Sequence, residues 1–357
     1  MSRVRLGDVV QRIKDPVDKD NTDLIYYVGG EHFTNRAFKV TNKGLIKGST
    51  IGPAFNTRFK SGDVLLMSRN PHLRKAGMVE FDGICSDVSY VIRTKDEKVL
   101  MQRFIPLLFQ TDMFWEFAEK NKKGSTNFFL NWKDFEQFEF ELPEMEKQIK
   151  LVEMLWSMVN TMDSYEEMLI KQDELIKSQF IEMFNSFETI DLVEIADITM
   201  GQSPDSKSYN DDGIGTPFLQ GKADFGNKYC QVFHWTTEPS KIVDAGSILM
   251  SVRAPVGPVN FTKVKCCIGR GLCGINAKRN ITNNEFLYNA LKVKEDEIAS
   301  KGVGSTFAAI TKKDVYEIKM PKAPIDKMND FSAFAEQIDK SKFMHNIATK
   351  GETYAYI

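Results

Sequence analysis

The longest unbroken helical pattern in the chain lies at residues 144–185, which contain neither Gly nor Pro and begin just after Pro143. Within it Leu151, Leu155, Met158, Met162, Tyr165, Leu169, Gln172, Ile176, Gln179 and Met183 recur at alternating steps of four and three. This is the seam of a coiled coil, narrower than the stripe of a globular helix, and it needs a partner helix. At ~1.5 Å per residue the segment predicts a rod of roughly 60 Å, long enough to hold two bodies apart. An ordinary long core helix would show a similar period, so the flanking segments decide.

Before the rod, short strand patterns alternate with turns. Val4 to Val10 reads as an opening strand, Leu24 to Val28 as another, and the turn Gly62-Asp63 leads into Val64-Leu65-Leu66-Met67. A helix follows at about 99–120, with Leu100, Phe104, Leu107, Leu108, Phe114 and Phe117 on its apolar side. A polar loop (121–127) and a closing strand (138–142) complete an α/β lobe. After Phe184 the same order returns: Ile190 to Ala196, then Pro217 to Gly221, then Ala245-Gly246-Ser247-Ile248-Leu249-Met250-Ser251. The offset drifts steadily, from 184 between Gly62 and Gly246, through 180 between Gly124 and Gly304, to 178 between Pro143 and Pro321. Such drift marks one duplicated unit with small deletions.

The chain is therefore expected to be α+β: a first lobe (1–143), a central helix (144–185), a second lobe (186–321), a distal helix (322–346) and an irregular tail (347–357). The distal helix, from Ile325 to about Met344, carries Met328, Phe331, Phe334, Ala335 and Ile338 as its apolar line. It is the natural partner of the first seam, in an antiparallel coiled coil with a pseudo-two-fold axis between the lobes. The expected contacts are Leu155, Met158, Met162, Tyr165, Leu169 and Ile176 on one helix and Phe331, Phe334 and Ile338 on the other. Gly351 and the β-favouring tail argue against further helix, which would leave the far end of the seam without a partner on this chain. Two lobes about a two-fold axis suit the related half-sites of a nucleic-acid duplex.

Composition narrows the class. With 42% hydrophobic and 27% charged residues in 357, the chain is a folded globular protein of two or three domains, neither disordered nor fibrous. No apolar run approaches the ~18 residues of a membrane span, and no apolar signal region follows Met1-Ser2-Arg3-Val4-Arg5, so a cytoplasmic protein is expected. Five cysteines form no CxxC, which points to reduced thiols, mostly buried, and with four histidines no metal site is expected. The formal net charge of −2 conceals a segregation of sign. Residues 34–79 and 241–279 are strongly basic, whereas the central helix is acidic, so each lobe is suited to a polyanion.

No GxxxxGK[ST], GxSxG or HExxH occurs, and no catalytic residues are expected. Lys47-Gly48-Ser49-Thr50 lacks the glycine spacing of a P-loop. Asn70-Pro71-His72-Leu73 resembles the Asn-Pro-Pro-aromatic turn of amino-methyltransferases, but lacks the second Pro and the aromatic. Arg253-Ala254-Pro255-Val256 takes the same place in the second lobe, so this is a turn of the lobe. The candidate contacts are instead basic and polar loops beside strands. In the first lobe they are Arg58, Lys60, Arg69, His72, Arg74, Lys75, Lys122, Lys123, Ser125, Thr126 and Asn127. In the second they are Lys222, Arg253, Arg270, Lys301, Gly304, Ser305, Thr306, Lys312 and Lys313. Arg and Asn can read base edges, while Ser, Thr and Lys anchor phosphates. A self-contained adenine methyltransferase, or a coiled-coil scaffold that binds no DNA, are the competing readings.

The duplicated lobe, the Gly304-Ser305-Thr306 loop before Lys312-Lys313-Asp314-Val315, and the Leu142-Pro143-Glu144 entry into a long helix resemble a type I restriction-modification specificity subunit. Thr199-Met200-Gly201-Gln202-Ser203-Pro204 and Phe334-Ala335-Glu336-Gln337-Ile338-Asp339-Lys340 carry the resemblance further. It implies two target recognition domains reading a bipartite, asymmetric site on double-stranded DNA, with the coiled coil as ruler. It also implies assembly with two methyltransferase subunits and with restriction subunits. Those partners would supply S-adenosylmethionine, ATP and Mg, none of them bound by this chain, and no membrane would be involved. Self-association through the uncovered seam is a further option. Two departures stand out: the first lobe has Lys14-Asp15-Pro16 in place of Gly-x-Ser-Pro, and the distal helix is shorter than the central one.

Overall fold

Val64–Met67 and Ile248–Ser251 are apolar on both faces, and each is an inner strand of a four-stranded antiparallel sheet. The computed structural model describes residues 2–302 and 308–354 of the chain. It divides into two compact units, Met1–Ser164 and Tyr165–Ile357. In the first, the antiparallel sheet runs Val10–Ile13, Ser89–Thr94, Val64–Met67, Ala76–Met78. A mixed sheet runs Gly44–Leu45, Tyr26–Val28, Gly83–Ser86, Phe55–Phe59, with its middle two strands parallel. The period of two in a strand separates the cores. Leu65 and Val91 pack toward the mixed sheet with Val28, Phe59 and Cys85, while Val64, Leu66 and Ile92 pack toward the helices with Phe104, Phe114, Trp115 and Phe135.

The second unit repeats this order and adds one edge strand, Tyr209–Asn210, to the mixed sheet. Its antiparallel sheet is Ala196–Met200, Leu272–Ala277, Ile248–Ser251, Val259–Phe261, and its mixed sheet is Tyr209–Asn210, His234–Thr236, Thr216–Leu219, Cys266–Ile268, Ile242–Val243. Thr216–Leu219 and Cys266–Ile268 are again parallel. A two-stranded ribbon closes each lobe, Ser2–Arg5 with Glu139–Leu142 and Thr189–Asp191 with Lys319–Pro321. The duplication read from drifting offsets is thus a duplication of strand order.

Four local expectations change. The opening strand is a strand, one helical turn (Leu6–Val9) and a second strand. Leu6 and Val9, three residues apart, are both buried, and a single turn is what aims both inward. The second unit does the same with Leu192–Ile195, where the Asp191 N–H donates to Glu194 Oε1 at 2.9 Å. The helix expected at 99–120 is broken into Ile105–Leu108 and Asp112–Lys120. Pro106 has no N–H and fits only a first turn. Trp115 Nε1 then donates to the Phe109 carbonyl at 2.7 Å, holding the chain between the two helices.

The distal helix runs Ile325–Tyr354, so residues 347–354 are helical rather than irregular, and only 355–357 of the expected tail lie outside the described residues. Packing of Met328, Phe331 and Ala335 nucleates it. Propagation is then cheap, and one Gly costs only about 1 kcal/mol.

The fourth change concerns the seam. Met145–Phe184 is a single helix of 40 residues, and its two halves belong to different cores. Val152 and Trp156 are buried in the first unit, Ile176, Phe180 and Phe184 in the second. Trp156 Nε1 donates to the Arg103 carbonyl at 2.8 Å, and the Arg103 guanidinium lies 4.6 Å over its ring. Large aromatic area with a satisfied N–H sets the rotational phase. The buried line therefore falls one residue beyond the expected seam in the first half. Leu151 and Leu155 only border the core, and Met158 and Met162 are 38% and 60% exposed. Tyr165 and Leu169 are half-buried. In the second unit Phe331 lies 5.5 Å from Phe180 and 5.7 Å from Phe184, with Phe334 and Ile338 at the margin of the same cluster as Ile176.

In each unit a lysine ties lobe to helix. Lys39 Nζ meets Asp163 at 2.7 Å and Glu80 at 3.3 Å; Lys228 Nζ meets Asp339 and Glu285, both at 2.6 Å. Burial alone pushes the Lys228 ammonium down, but the bonds to Asp339 and Glu285 outweigh it and hold its pKa above the ordinary value. A raised folded-state pKa contributes stability that is complete below the unfolded lysine value and is lost as pH rises through the folded one. The clamp should therefore hold at neutral pH and fail only above about pH 10.4. Lys228→Met would take the shared cation away from two partly buried carboxylates. The expected loss is about 3 kcal/mol in denaturant unfolding, and a loss near zero would deny the clamp its role.

Candidate nucleic-acid interface

In the second unit the parallel strands Thr216–Leu219 and Cys266–Ile268 end at one edge, and the segment after Ile248–Ser251 reaches the same place. The segments leaving these strand ends border an open cleft of about 560 Å³, together with Ser203, Pro204, Ser206 and Tyr209. Lys222, Arg253 and Arg270 line it, and none of the described residues lining it is acidic. Arg253 pairs with Ala309 in an antiparallel bridge, and the Ile310 N–H donates to the Val252 carbonyl at 3.0 Å, which steadies this wall.

In the first unit the matching segment after Val64–Met67 is stitched to the polar loop. Arg69 bridges Phe129, the Asn70 N–H donates to the Phe128 carbonyl at 2.8 Å, and Leu130 N–H to the Ser68 carbonyl at 2.9 Å. Lys123 and Phe129 exchange backbone bonds of 2.8 and 2.9 Å, closing a hairpin that presents Ser125, Thr126 and Asn127 to solvent. Gly124 is left-handed there (φ 95°), and a Cβ would stand 2.6 Å from the Asn127 carbonyl oxygen, so the turn requires Gly. Arg69 and His72 are exposed beside it. Asn70, Arg74 and Arg36 also adopt left-handed backbone, with φ of 51°, 50° and 54°. Each costs roughly 1 kcal/mol, and such strain collects at functional corners.

Not every candidate joins these two places. Arg74 shares the Asp112 carboxylate with Arg36, and Lys75 Nζ donates to the Gly30 carbonyl at 2.7 Å, so both are engaged within the protein. Lys122 binds Glu119 at 2.7 Å and lies 4.3 Å over Phe128. Lys123 lies 3.7 Å from Asp134. Arg58 and Lys60 flank the turn before Val64–Met67, whereas Arg69 follows that strand, so the structure places them at its opposite ends. Lys301 follows the helix Glu295–Ser300. Lys312 and Lys313 border a different groove with Asp191 and Val193. Gly304, Ser305 and Thr306 lie outside the described residues. Gln220, Ser203 and Tyr209 were missed. Only the Gly201-Gln202-Ser203-Pro204 motif signalled any of them.

The chain matches the family described as the type I restriction modification DNA specificity domain over two stretches, residues 1–172 and 185–347. The chain belongs to this family. The two matches are the two halves of the duplication, so each copy of the specificity domain carries its own lobe. A protein named for the specificity subunit of the type I restriction enzyme MjaX of Methanocaldococcus jannaschii is 28% identical over 94% of this chain and 85% of its own length. A solved chain from a study of complex assembly and conformational transition of the type I R-M system is 27% identical, covers 99% of this chain and 93% of its own, and has a TM-score of 0.58. The type I S subunit of M. genitalium is similar in fold, with a TM-score of 0.62 at 16% identity over 99% of this chain and 93% of its own. The protein is thus a DNA-specificity component of a type I system rather than its catalyst.

Among the described residues no group of three or more His, Cys, Asp or Glu side chains could hold a metal ion, and no helix is long and apolar enough to cross a membrane. The cysteines are free thiols, and burial pushes Cys85 and Cys273 up to about 12 and Cys266 to about 11, which keeps them protonated and unreactive at neutral pH.

Proposed function

We propose that each lobe reads one part of an interrupted double-stranded DNA target, the second through its cationic cleft and the first through the hairpin at 124–128 with Arg69 and His72. The observation that carries this is the cleft: three cations and, among the described residues, no lining acid at the place where three strand ends meet. Lys222 and Arg253 supply phosphate contacts there, and the central helix fixes the separation between the two readings. Two methyltransferase subunits and the restriction subunits complete the complex in the cytoplasm and bring S-adenosylmethionine, ATP and Mg, which this chain does not bind.

Sequencing of DNA modified by the assembled methyltransferase complex is expected to return one interrupted motif. Modification without sequence preference would overturn the reading. Duplex affinity should also fall steeply with salt, by about 0.9 in log K per log unit for each neutralised phosphate. Lys222→Ala should lower that slope by about 1 and weaken all sequences alike. An unchanged slope would remove Lys222 from the phosphate contacts.

A further inference from the structure

Register assigns a difference between the two lobes at one pair of positions. Val28 pairs with Cys85 in the first unit exactly as Leu219 pairs with Ile268 in the second, so Gly29 corresponds to Gln220 and Asp87 to Arg270. In the second unit these two residues leave adjacent parallel strands side by side and both line the cleft. The Gly269 N–H donates to the Leu219 carbonyl at 2.8 Å. Gly269 and Gly271 flank Arg270, and a Cβ at Gly271 would stand 2.6 Å from the Gln220 carbonyl oxygen, so the two chains touch only because Gly is there. The Arg270 N–H also donates to Ser203 Oγ at 3.3 Å, which is how the Gly201-Gln202-Ser203-Pro204 motif reaches the site.

The backbone beneath Gln220 is fixed. Asp224, 5% exposed, accepts the N–H groups of both Gln220 and Gly221 on one carboxylate oxygen, at 2.6 and 3.2 Å. Gln220 and Arg270 themselves are exposed, so an amide and a guanidinium project from a rigid support into a cleft that other cations attach to phosphate. In the first unit the turn after the strand begins one residue sooner, capped by Gly29 where the second unit has Gly221, so no residue stands between strand and cap as Gln220 does. There the Gly29 N–H donates to His32 Nδ1 at 2.9 Å, a Cβ on Gly29 would strike the Glu31 carboxylate at 2.5 Å, and Asp87 stands exposed where the second unit has Arg270.

Building on the proposed DNA reading, we infer that Gln220 and Arg270 are the specificity-determining residues of the second lobe, contacting base edges in the major groove while Lys222 and Arg253 hold the backbone. A guanidinium is matched to the O6 and N7 acceptors of guanine, and a carboxamide to the N7 acceptor and N6 donor of adenine. The first lobe, with no side chain at one position and an acid at the other, cannot read the same bases from this edge.

The test is selection from a randomised duplex pool by the full chain assembled with its methyltransferase subunits. Arg270→Ala and Gln220→Ala should each relax one base pair in the same half of the motif, with discrimination there falling ~10- to 100-fold. Gln220→Glu, which removes the donor from an exposed side chain without changing its shape, should shift the preference toward cytosine, whose N4 donates. An unchanged motif in all three variants overturns the inference, and so does a uniform loss of affinity with the motif intact, which would make both residues phosphate contacts. If the unaltered complex selects no motif, the DNA reading itself fails. If it selects one that these variants leave alone, only the present assignment fails.

Discussion

Inserting seven residues between Ser164 and Tyr165 is expected to abolish recognition of the natural target and to create recognition of one whose two specific parts lie about three base pairs further apart. The insertion point is where the compact units divide, inside one continuous helix. Seven residues lengthen a helix by about 10 Å, and successive base pairs rise ~3.4 Å. Seven residues also add nearly two whole turns, shifting the helical phase by only ~20°. An insertion of two residues adds about 3 Å but turns the helix by roughly 200°, and no related target should replace the one it destroys. Modification motifs from the two altered complexes would decide. A heptad insertion that leaves the motif and its spacing untouched would sink the idea that helix length sets the separation.

Trp156→Ala should lower the stability of the first unit by about 3–5 kcal/mol. The side chain is 2% exposed, its N–H has a carbonyl partner at 2.8 Å, and the Arg103 guanidinium covers one face. Truncation would therefore create a cavity, orphan the Arg103 carbonyl and strip a cation of its aromatic surface. For a unit of this size that corresponds to a fall of roughly 10 °C or more in the melting midpoint. Met162→Ala, at an exposed position of the expected seam, should change the isolated chain by less than about 0.5 kcal/mol. Calorimetry on both variants compares the aromatic phase of the helix with the seam phase. Similar losses in the two would restore the seam.

What could be read from residues alone was whatever is carried by order and repetition. The drifting offsets became the same strand order in two sheets of each lobe, and the Gly-free, Pro-free stretch became one helix. The rotational phase of that helix was less legible, because periodicity counts Met158 and Trp156 equally, while burial energy follows aromatic area and a satisfied N–H. The charge runs misled in a similar way. Arg69 and Lys60 are nine residues apart in one basic segment, yet a four-residue strand separates them in space. Arg74 is occupied by Asp112, a partner distant in sequence. Gln220 has no meaning as a lone glutamine. It acquires one only when a parallel pairing sets it beside Arg270 and a buried Asp224 fixes its backbone.

The ribbons that close the lobes have a consequence for how such a chain can change. Ser2–Arg5 lies against Glu139–Leu142, and Thr189–Asp191 against Lys319–Pro321, so each lobe enters and leaves through neighbouring strands. A segment whose two ends meet can be exchanged as a cassette without disturbing what it is spliced into. Recombination between genes, cutting at the ribbon strands, could then import a whole new vocabulary of bases in one event. The helices outside the ribbons would stay as they were.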